Sequence, residues 1–209
     1  ISHEHSDHIA GLQQLLKRFD IPVYTKQGTW REIQDKLVVP KNQLIELTKG
    51  SLTLGNLIVE PFAVSHDAAD PIGINVFSGN DKATVVTDTG IISDDILHRI
   101  DDSTLLVLEA NYDPHMLRFG PYQPFLKQRV ASDEGHLSNE MAAQALLMMK
   151  RPDFMQVILA HRSENNNNAV LVTQTIGKML VDGGVRIGPE MKLQHGQPNE
   201  IVSMQSIKR

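Results

Sequence analysis

The spacing of apolar residues divides the chain into a helical beginning and a longer region of strands. Apolar side chains recur every three or four positions across residues 9–19, which predicts an amphipathic helix. A strand is predicted at 21–25, and a second helix at 27–37 turns Trp30 and Ile33 inward. From residue 43 the period changes to two, so we expect strands at 43–47, 51–55, 56–65, 73–79 and 82–88, with a hairpin turn at 79–81.

The second half of the chain alternates between helical and extended patterns. In order, the patterns predict a helix at 93–100, a strand at 104–110, helical segments across 113–130, a helix at 138–149, a strand at 155–161, a helix at 168–182 and closing strands near 190–205. Strands followed by alternating units predict two sheets with helices on their outer faces, an αββα sandwich of the α/β class. No internal repeat or linker divides residues 1–209, so we expect a single domain.

Composition narrows the chemistry more than the fold. The chain is 41% hydrophobic and 22% charged, as expected for a globular protein with one substantial core. No apolar run approaches the ~20 residues of a membrane span. The net charge of −5 argues against binding of polyanions by the whole surface of the chain but allows a local basic patch. With no cysteine, a metal site has only His, Asp and Glu as ligands.

The chain begins with ISHEHSDH, which places His3, His5, Asp7 and His8 directly before the first predicted helix. A solvated His-rich end or an expression tag is one interpretation of this cluster. Tags are usually uninterrupted, however, whereas these residues alternate and continue into a folded segment. The pattern therefore favours a metal site.

Three more candidate ligands stand where predicted strands give way to loops, the usual location of sites in sheet-based enzymes. His66 follows the strand ending in FAVS, Asp88 ends ATVVTD, and His161 ends VILAH. Each alone is also explained as a turn former or a satisfied polar group. Together with the opening cluster they make seven, the ligand count of two metal ions.

The segments SHEHSDH, SHDAADP, TDTG, EGHLSN and HRSENNN together resemble the metallo-β-lactamase-fold hydrolases, and in particular their YycJ/WalJ-like branch of bacterial nucleases. The resemblance runs from residue 1 to about residue 195 and departs from the pattern at Arg162, where it predicts a Leu. Members of this fold begin with several strands before the first His motif. The resemblance thus implies a sandwich lacking its N-terminal strands, with an unpaired edge or apolar face near 43–64 that invites a partner chain.

The resemblance implies how seven ligands divide between two divalent ions, Zn²⁺ or Mn²⁺. The first ion would take His3, His5 and His66, the second Asp7, His8 and His161, and Asp88 would bridge them. His3 and His5, two residues apart at a strand end, would point the same way. Two ions about 3.5–4 Å apart can share a hydroxide that acts as the nucleophile at neutral pH. An Asp in the bridging position argues against antibiotic hydrolysis.

Three functions remain open at this point. The resemblance implies a phosphodiesterase, specifically a cytoplasmic DNA exonuclease; a thioester or lactone hydrolase of the glyoxalase II type would use the same ligands, and a non-catalytic binding protein would have the same fold. Glu109 and His136 favour the nuclease, because the tRNA-processing nucleases of the superfamily have a similar pair. In the alternative interpretation Glu109 is a salt-bridge partner and His136 is incidental, ahead of the helix cap Ser138.

A second feature that favours nucleic acid is the segment MLRFGPYQPFLKQR. Its cations Arg118, Lys127 and Arg129 interleave with aromatic residues, which suits phosphate contact and base stacking. A buried aromatic helix with solvated charges explains the segment equally well. We expect a nucleic-acid substrate, DNA, and no membrane partner, while a homo-oligomer is left open.

Overall fold

The computed structural model describes residues 1–48, 50–197 and 200–203, and a seven-stranded sheet lies at its centre. The strands are β1 (Val23–Thr25), β2 (Leu44–Glu46), β3 (Leu52–Leu54), β4 (Leu57–Ala63), β5 (Ile72–Ser78), β6 (Asp81–Val86), β7 (Leu105–Glu109), β8 (Met155–Ala160) and β9 (Met191–His195). The helices are α1 (Ser6–Ile9), α2 (Leu12–Arg18), α3 (Gln27–Gln34), α4 (Asp94–Ile100), α5 (Pro114–Phe119), α6 (Pro124–Val130), α7 (Asn139–Met148) and α8 (Ala169–Asp182).

The large sheet has the order β3-β4-β5-β6-β7-β8-β9. Its strand pairing changes from antiparallel to parallel at β6. Strands β3 to β6 pair antiparallel, and the predicted hairpin between β5 and β6 is confirmed, with Gly79 at φ 59° in the turn. Strands β6 to β9 pair parallel, so each needs a crossover connection, which α4, α7 and α8 provide. The alternating pattern of the second half of the sequence is this parallel region.

The main core lies between one face of the sheet and these crossover helices. Alternate residues of β7 and β8, such as Leu108 and Val157, are fully buried against it. The helices contribute apolar side chains from one side each, including Ile100 of α4, Leu146 of α7 and Ile176 of α8. This packing supports the edge of the sheet at which the loops of the candidate site meet.

The opposite face of the large sheet is less covered. Ile74, Val85, Val107 and Ile158 follow one another in register across four strands on this face, and Val85 is 39% exposed. The second sheet consists, among the described residues, of β1 and β2 in parallel, packed with α1 to α3 around a small cluster that includes Trp30. We predicted from the resemblance that this sheet lacks N-terminal strands, and this stays a prediction.

Exposed apolar side chains also occur in the stretch that we expected to form an open edge. Leu54, Leu57 and Ile58 are each about two-fifths exposed, and β3 is the edge strand of the large sheet. Among the described residues, no helix is both long enough and apolar enough to cross a membrane.

Several boundaries differ from those predicted. The helix expected at 9–19 starts earlier and is divided into α1 and α2 at Gly11, a residue that disfavours the helix interior. The strand expected at 56–65 ends at Ala63, so His66 lies in a loop. Of the region 190–205, only β9 is a strand among the described residues; residues 198, 199, 204 and 205 lie outside them.

The opening segment is not the strand end that we expected for His3 and His5. Residues 1–5 have no strand assignment, but they are held in place by hydrogen bonds on two sides. The amino group of Ile1 donates to the carbonyl of Tyr24 (2.9 Å), and the amide of Ile72 donates to the carbonyl of Ser2 (3.2 Å). The His motif is therefore fastened between β1 and β5.

Candidate metal centre

The candidate ligands lie at one edge of the large sheet, for a topological reason. Strand β4 is antiparallel to β5, and β5 to β6, so β4 runs in the same direction as β6, β7 and β8. The carboxyl ends of these four strands share an edge, and the residues that follow or end them are His66, Asp88, Glu109 and His161. The opening His motif, which is hydrogen-bonded to β1 through Ile1, lies at the same edge.

The loops at this edge are tied to one another. The amide of Gly90 donates to the carbonyl of Ser65 (2.9 Å), and the amide of Asp67 donates to the carbonyl of Glu134 (3.0 Å). A Cβ at Gly90 would overlap the carbonyl oxygen of Ser132, so this close approach of two loops requires glycine. The loops that carry His66, Asp88 and His136 therefore form one connected unit.

The first group of candidate ligands is His3, His5 and His66, whose ligand atoms lie within 4.8 Å of one another. Nδ1 of His66 lies 3.1 Å from the carbonyl of Gly135, to which it donates, so its Nε2 is the free acceptor. That Nε2 lies 3.3 Å from Nδ1 of His5. Burial, together with the neighbouring imidazoles, lowers the pKa of His3 to about 3, so this ring is neutral at pH 7.

The second group is Asp7, His8 and His161, also within 4.8 Å of one another. Nε2 of His8 and Nε2 of His161 lie 3.5 Å and 3.6 Å from the same carboxylate oxygen of Asp7. Asp7 and His8 lie in the single turn of α1, directly after the extended segment that carries His3 and His5.

Asp88 lies between the two groups. Its Oδ2 is 3.3 Å from Nε2 of His8, and its Oδ1 is 3.8 Å from Nε2 of His66 and 3.4 Å from Nε2 of His161. Asp88 and His161 both have left-handed backbones, with φ of 60° and 53°. Non-glycine residues seldom adopt this conformation, and such positions cluster at functional sites.

The donor set fits divalent cations. Nε2 of His3 and Oδ2 of Asp88 are buried without a hydrogen-bond partner among the described residues, an arrangement that is costly unless a cation satisfies these atoms. One group of three imidazoles, one group of two imidazoles and a carboxylate, and a further carboxylate between them suit Zn²⁺ or Mn²⁺. The structure thus brings all seven predicted ligands together.

Glu109 is fully buried at the end of β7 and organises two imidazoles at once. Its Oε1 lies 2.8 Å from Nδ1 of His136 and 2.7 Å from Nδ1 of His161. Its Oε2 accepts from the amides of Leu137 (3.1 Å) and Thr89 (3.4 Å). Burial alone would raise the pKa of Glu109, but the hydrogen bonds from the two imidazoles outweigh it and lower the pKa to about 2.

The charge of Glu109 also acts on its partners. Burial opposes a charge on His161, yet the hydrogen bond and charge of Glu109 raise the pKa of His161 to about 9. His136 is half-buried, and its ring lies 5.2 Å from that of His66 and 5.3 Å from that of His161, centroid to centroid. Ser138 is indeed the cap of α7, accepting from the amide of Met141 (3.2 Å), so the capping role and the Glu109–His136 pair coexist.

Of the three predicted basic residues, Arg129 reaches the site. It lines a cavity of about 330 Å³ together with His5, Asp7, Asp88 and His136. Its guanidinium pairs with both carboxylate oxygens of Asp67, with 3.1 Å between Nη2 and Oδ1.

Arg118 lies at the end of α5, and Lys127 lies on α6, two residues before Arg129. Nζ of Lys127 donates to the carbonyl of Arg118 (2.8 Å), and the guanidinium of Arg118 lies 5.3 Å from the ring centroid of Phe119. Phe119 and Phe125 are 66% and 71% exposed, so the interpretation of a buried aromatic helix does not hold for them.

Sequence reasoning missed several residues that support the ligands. The hydroxyl of Ser2 lies 3.2 Å from Nδ1 of both His3 and His8. The side-chain amide of Asn111 donates to the carbonyl of His161 (2.8 Å). Ser2 stands beside the His motif and Asn111 stands two residues after Glu109, and these positions were the signals available in the sequence. Asp67, the partner of Arg129, likewise stands next to His66.

Comparison with known proteins agrees with this geometry. Residues 1–161 match the beta-lactamase superfamily domain, which confirms the predicted fold class. The structure of the metallo-beta-lactamase fold protein YhfI from Bacillus subtilis superposes with a TM-score of 0.66 at 17% identity, covering 92% of this chain and 72% of that one. The protein is thus of the metallo-β-lactamase-fold class, whose members are built around divalent metal ions.

Two relatives of known name identify the branch of the superfamily to which the chain belongs. The chain is 34% identical over 209 residues to exodeoxyribonuclease YycJ of Bacillus anthracis, covering 99% of this chain and 79% of that protein. It is 31% identical over 212 residues to exodeoxyribonuclease WalJ of Streptococcus pneumoniae, covering 99% of this chain and 78% of that protein. The chain belongs to the YycJ/WalJ branch of the beta-lactamase superfamily, as the motifs predicted.

Proposed function

We propose that this protein is a dinuclear metal-dependent hydrolase that cleaves phosphodiester bonds in DNA as an exonuclease. The observation that carries the proposal is Glu109, a single buried carboxylate hydrogen-bonded both to the candidate ligand His161 and to His136 beside it. The two relatives named exodeoxyribonucleases support the same reaction class. A thioester hydrolase has less need of such a pair, because a thiolate leaves readily without a proton.

Two ions, Zn²⁺ or Mn²⁺, would be held by the two groups of ligands. His3, His5 and His66 would bind one, Asp7, His8 and His161 the other, and Asp88 would bridge them. When bound, such ions lower the pKa of a coordinated water and stabilise negative charge on a phosphate. The neutral state of His3 and the free Nε2 of His66 suit this role, because a metal binds the unprotonated nitrogen.

The residues around the ligands supply the remaining chemistry. Glu109 fixes a proton on Nδ1 of His161 and of His136, so that the Nε2 of each ring is directed away from the carboxylate. Cleavage of a phosphodiester bond leaves an alkoxide that needs a proton. His136, oriented by its hydrogen bond to Glu109, would donate it.

The basic residues would bind the strand. Arg129, which lines the same cavity as Asp88, would contact a phosphate, with part of its charge balanced by Asp67. Arg118 and Lys127 would contact phosphates further away, with the exposed rings of Phe119 and Phe125 available for base stacking. We place the enzyme in the bacterial cytoplasm, with DNA as its substrate; sedimentation of the purified protein would test for a homo-oligomer.

Metal analysis followed by digestion tests the proposal. The chelated protein is reloaded with Zn²⁺ or Mn²⁺, its metal content is measured, and it is incubated with single- and double-stranded DNA labelled at the 5′ or the 3′ end. We expect stepwise shortening from one end and no hydrolysis of a thioester or lactone assayed in parallel. The Asp88→Asn protein, purified identically, controls for contaminating nucleases. Thioester or lactone hydrolysis without DNA digestion would overturn the proposal.

A further inference from the structure

A second, larger cleft adjoins the candidate metal centre. Its volume is about 910 Å³, within the range of roughly 300–1,000 Å³ that is common for ligand sites. Its lining includes His136, His161 and Arg129, each of which also lines the small cavity over the metal ligands. A molecule bound in the cleft therefore contacts residues that also face the candidate metal centre.

Arg162 lines this cleft directly after the candidate ligand His161 and stands where the family resemblance predicts an apolar Leu. Its side chain is half-buried, and its Nη1 is buried without a hydrogen-bond partner among the described residues. Leaving a guanidinium N–H unsatisfied away from water is costly unless a partner arrives. Burial, and after it the charge of Arg162, lowers the pKa of His195, and an imidazole in either protonation state carries no negative charge for the guanidinium.

The rest of the lining suits a nucleotide. One wall is apolar and is formed by Tyr122, Leu126 and Val130. The other wall is polar, and among the described lining residues Glu164 is its only carboxylate, on an exposed position. Arg129 already pairs with Asp67, whereas Nη1 of Arg162 has no hydrogen-bond partner in the part of the chain that the structure describes.

We propose that this cleft holds the end of the nucleic-acid strand beside the scissile bond, with Arg162 binding a backbone phosphate and the Tyr122 wall packing against a base. The inference rests on the proposed nuclease function and names a subsite for it. A planar guanidinium binds phosphate oxygens through two parallel N–H donors, which a point charge does not reproduce. The apolar surface of Tyr122, Leu126 and Val130 in the same lining suits the flat face of an unpaired base.

Salt-dependent binding of a fluorescent single-stranded oligothymidylate to the full chain in EDTA tests this subsite without any cleavage. Losing one phosphate contact on a single strand reduces the slope of log K against log salt by about 0.7. We expect this reduction and a roughly tenfold weaker affinity in both Arg162→Leu and Arg162→Gln. Arg162→Lys should keep the slope but bind more weakly. Arg99→Leu, on α4 at the other end of the sheet, should match the unaltered protein.

The outcomes separate this inference from the proposed function. Unchanged slope and affinity in the folded Arg162 variants, or no DNA binding by the unaltered chain at low salt, would overturn the subsite even if DNA is digested. Should the slope fall as expected while no metal-loaded protein digests DNA, the subsite stands and the nuclease proposal fails. Thermal unfolding of each variant identifies those that are folded, and the Gln variant keeps the test available if the Leu variant does not fold.

Discussion

Oε1 of Glu109 lies 2.7 Å from Nδ1 of His161, and this contact determines which ring nitrogen is available at the centre. The carboxylate holds the proton on Nδ1, so Nε2, which lies 3.4 Å from Asp88, is the one that can bind a metal ion. The same oxygen also holds His136. One buried carboxylate oxygen therefore orients both a candidate ligand and the proposed proton donor.

Replacing Glu109 with Gln should weaken metal binding by about 10- to 100-fold, the usual effect of removing such a supporting group. The amide N–H₂ would face N–H donors on whichever side it lies, because imidazoles occupy one oxygen and the backbone amides of Leu137 and Thr89 the other. We also expect a loss of about 1–3 kcal/mol in the free energy of unfolding. Competition with a chelator and denaturant unfolding measure the two effects.

A matched control for this variant is Glu32→Gln on the exposed side of α3. It removes the same charge from the surface and should change neither metal affinity nor stability by more than about 0.5 kcal/mol. Metal affinity that is equal in the Glu109→Gln protein and the unaltered protein would show that Glu109 does not orient His161.

Metal uptake should release protons, because the pKa of His161 in the metal-free protein is raised to about 9 while the metal binds the neutral ring. The ion pair of protonated His161 with Glu109 stabilises the fold fully below pH 6.5. This contribution to the free energy of unfolding is lost as the pH rises through about 9. Over the same interval the metal-free protein becomes less stable and its metal affinity increases. Calorimetric titrations in buffers of different ionisation enthalpy measure the released protons.

His3 provides the internal contrast for this measurement. Its pKa is lowered to about 3, so it has no proton to release at pH 7, and the release is expected from the group that contains His161. The Glu109→Gln protein should release fewer protons, because the largest of the influences that raise the pKa of His161 is gone. Metal binding at pH 7 without proton release would contradict the protonation assigned to His161.

The convergence of the seven candidate ligands was predictable from the sequence because its signals are local. The opening motif presents four ligands within six residues, and His66, Asp88 and His161 each follow the apolar run of a strand. Strands that run in one direction bring such residues to one edge, so knowing the strands was nearly enough to bring the ligands together. The family resemblance supplied the pairing of ligands with ions.

The contacts that depend on loop packing were not predictable in the same way. The pairing of Arg129 with Asp67 and the second hydrogen bond of Glu109 depend on how separate loops approach, and the residues involved are distant along the chain. Nor does any periodicity indicate the left-handed backbone of His161. The division of the first helix at Gly11 was signalled by a residue type that the apolar spacing concealed.

Asp88→Asn should abolish DNA cleavage and lower the metal content while leaving the fold intact. Asn tolerates the left-handed backbone of Asp88 (φ 60°), so this variant removes the charge without adding strain. Asp88→Ala adds a cost of about 1–2 kcal/mol from the backbone. Elemental analysis, digestion of labelled DNA and thermal unfolding distinguish these effects.

Asp102 offers a matched control, since it is exposed and has a similar left-handed backbone (φ 56°) away from the ligands. Asp102→Ala should show the same kind of backbone cost, with only a small additional loss from its surface pair with Lys150. Its activity and metal content should be unchanged. Full activity in a metal-loaded Asp88→Asn protein would argue decisively against a bridging role for Asp88.

His136→Ala should keep the metal content and lower DNA cleavage by about 100-fold or more, the usual scale for a lost general acid. The proton is needed because the departing deoxyribose oxygen is a strongly basic alkoxide. A nitrophenyl ester of thymidine phosphate has a leaving group that departs without a proton. With this substrate the variant should therefore lose far less activity, whereas a defect in metal binding or folding would reduce both reactions equally.

His98→Ala provides the control, because His98 lies exposed on α4 and its removal should affect neither substrate. The ratio of the two rates, DNA against nitrophenyl ester, isolates the proton transfer from every change in the amount of active protein. Equal losses on both substrates at full metal content would remove His136 as the proton donor. The Glu109–His136 pair would then support the position of the ligand His161 and nothing more, and the thioesterase alternative would gain weight.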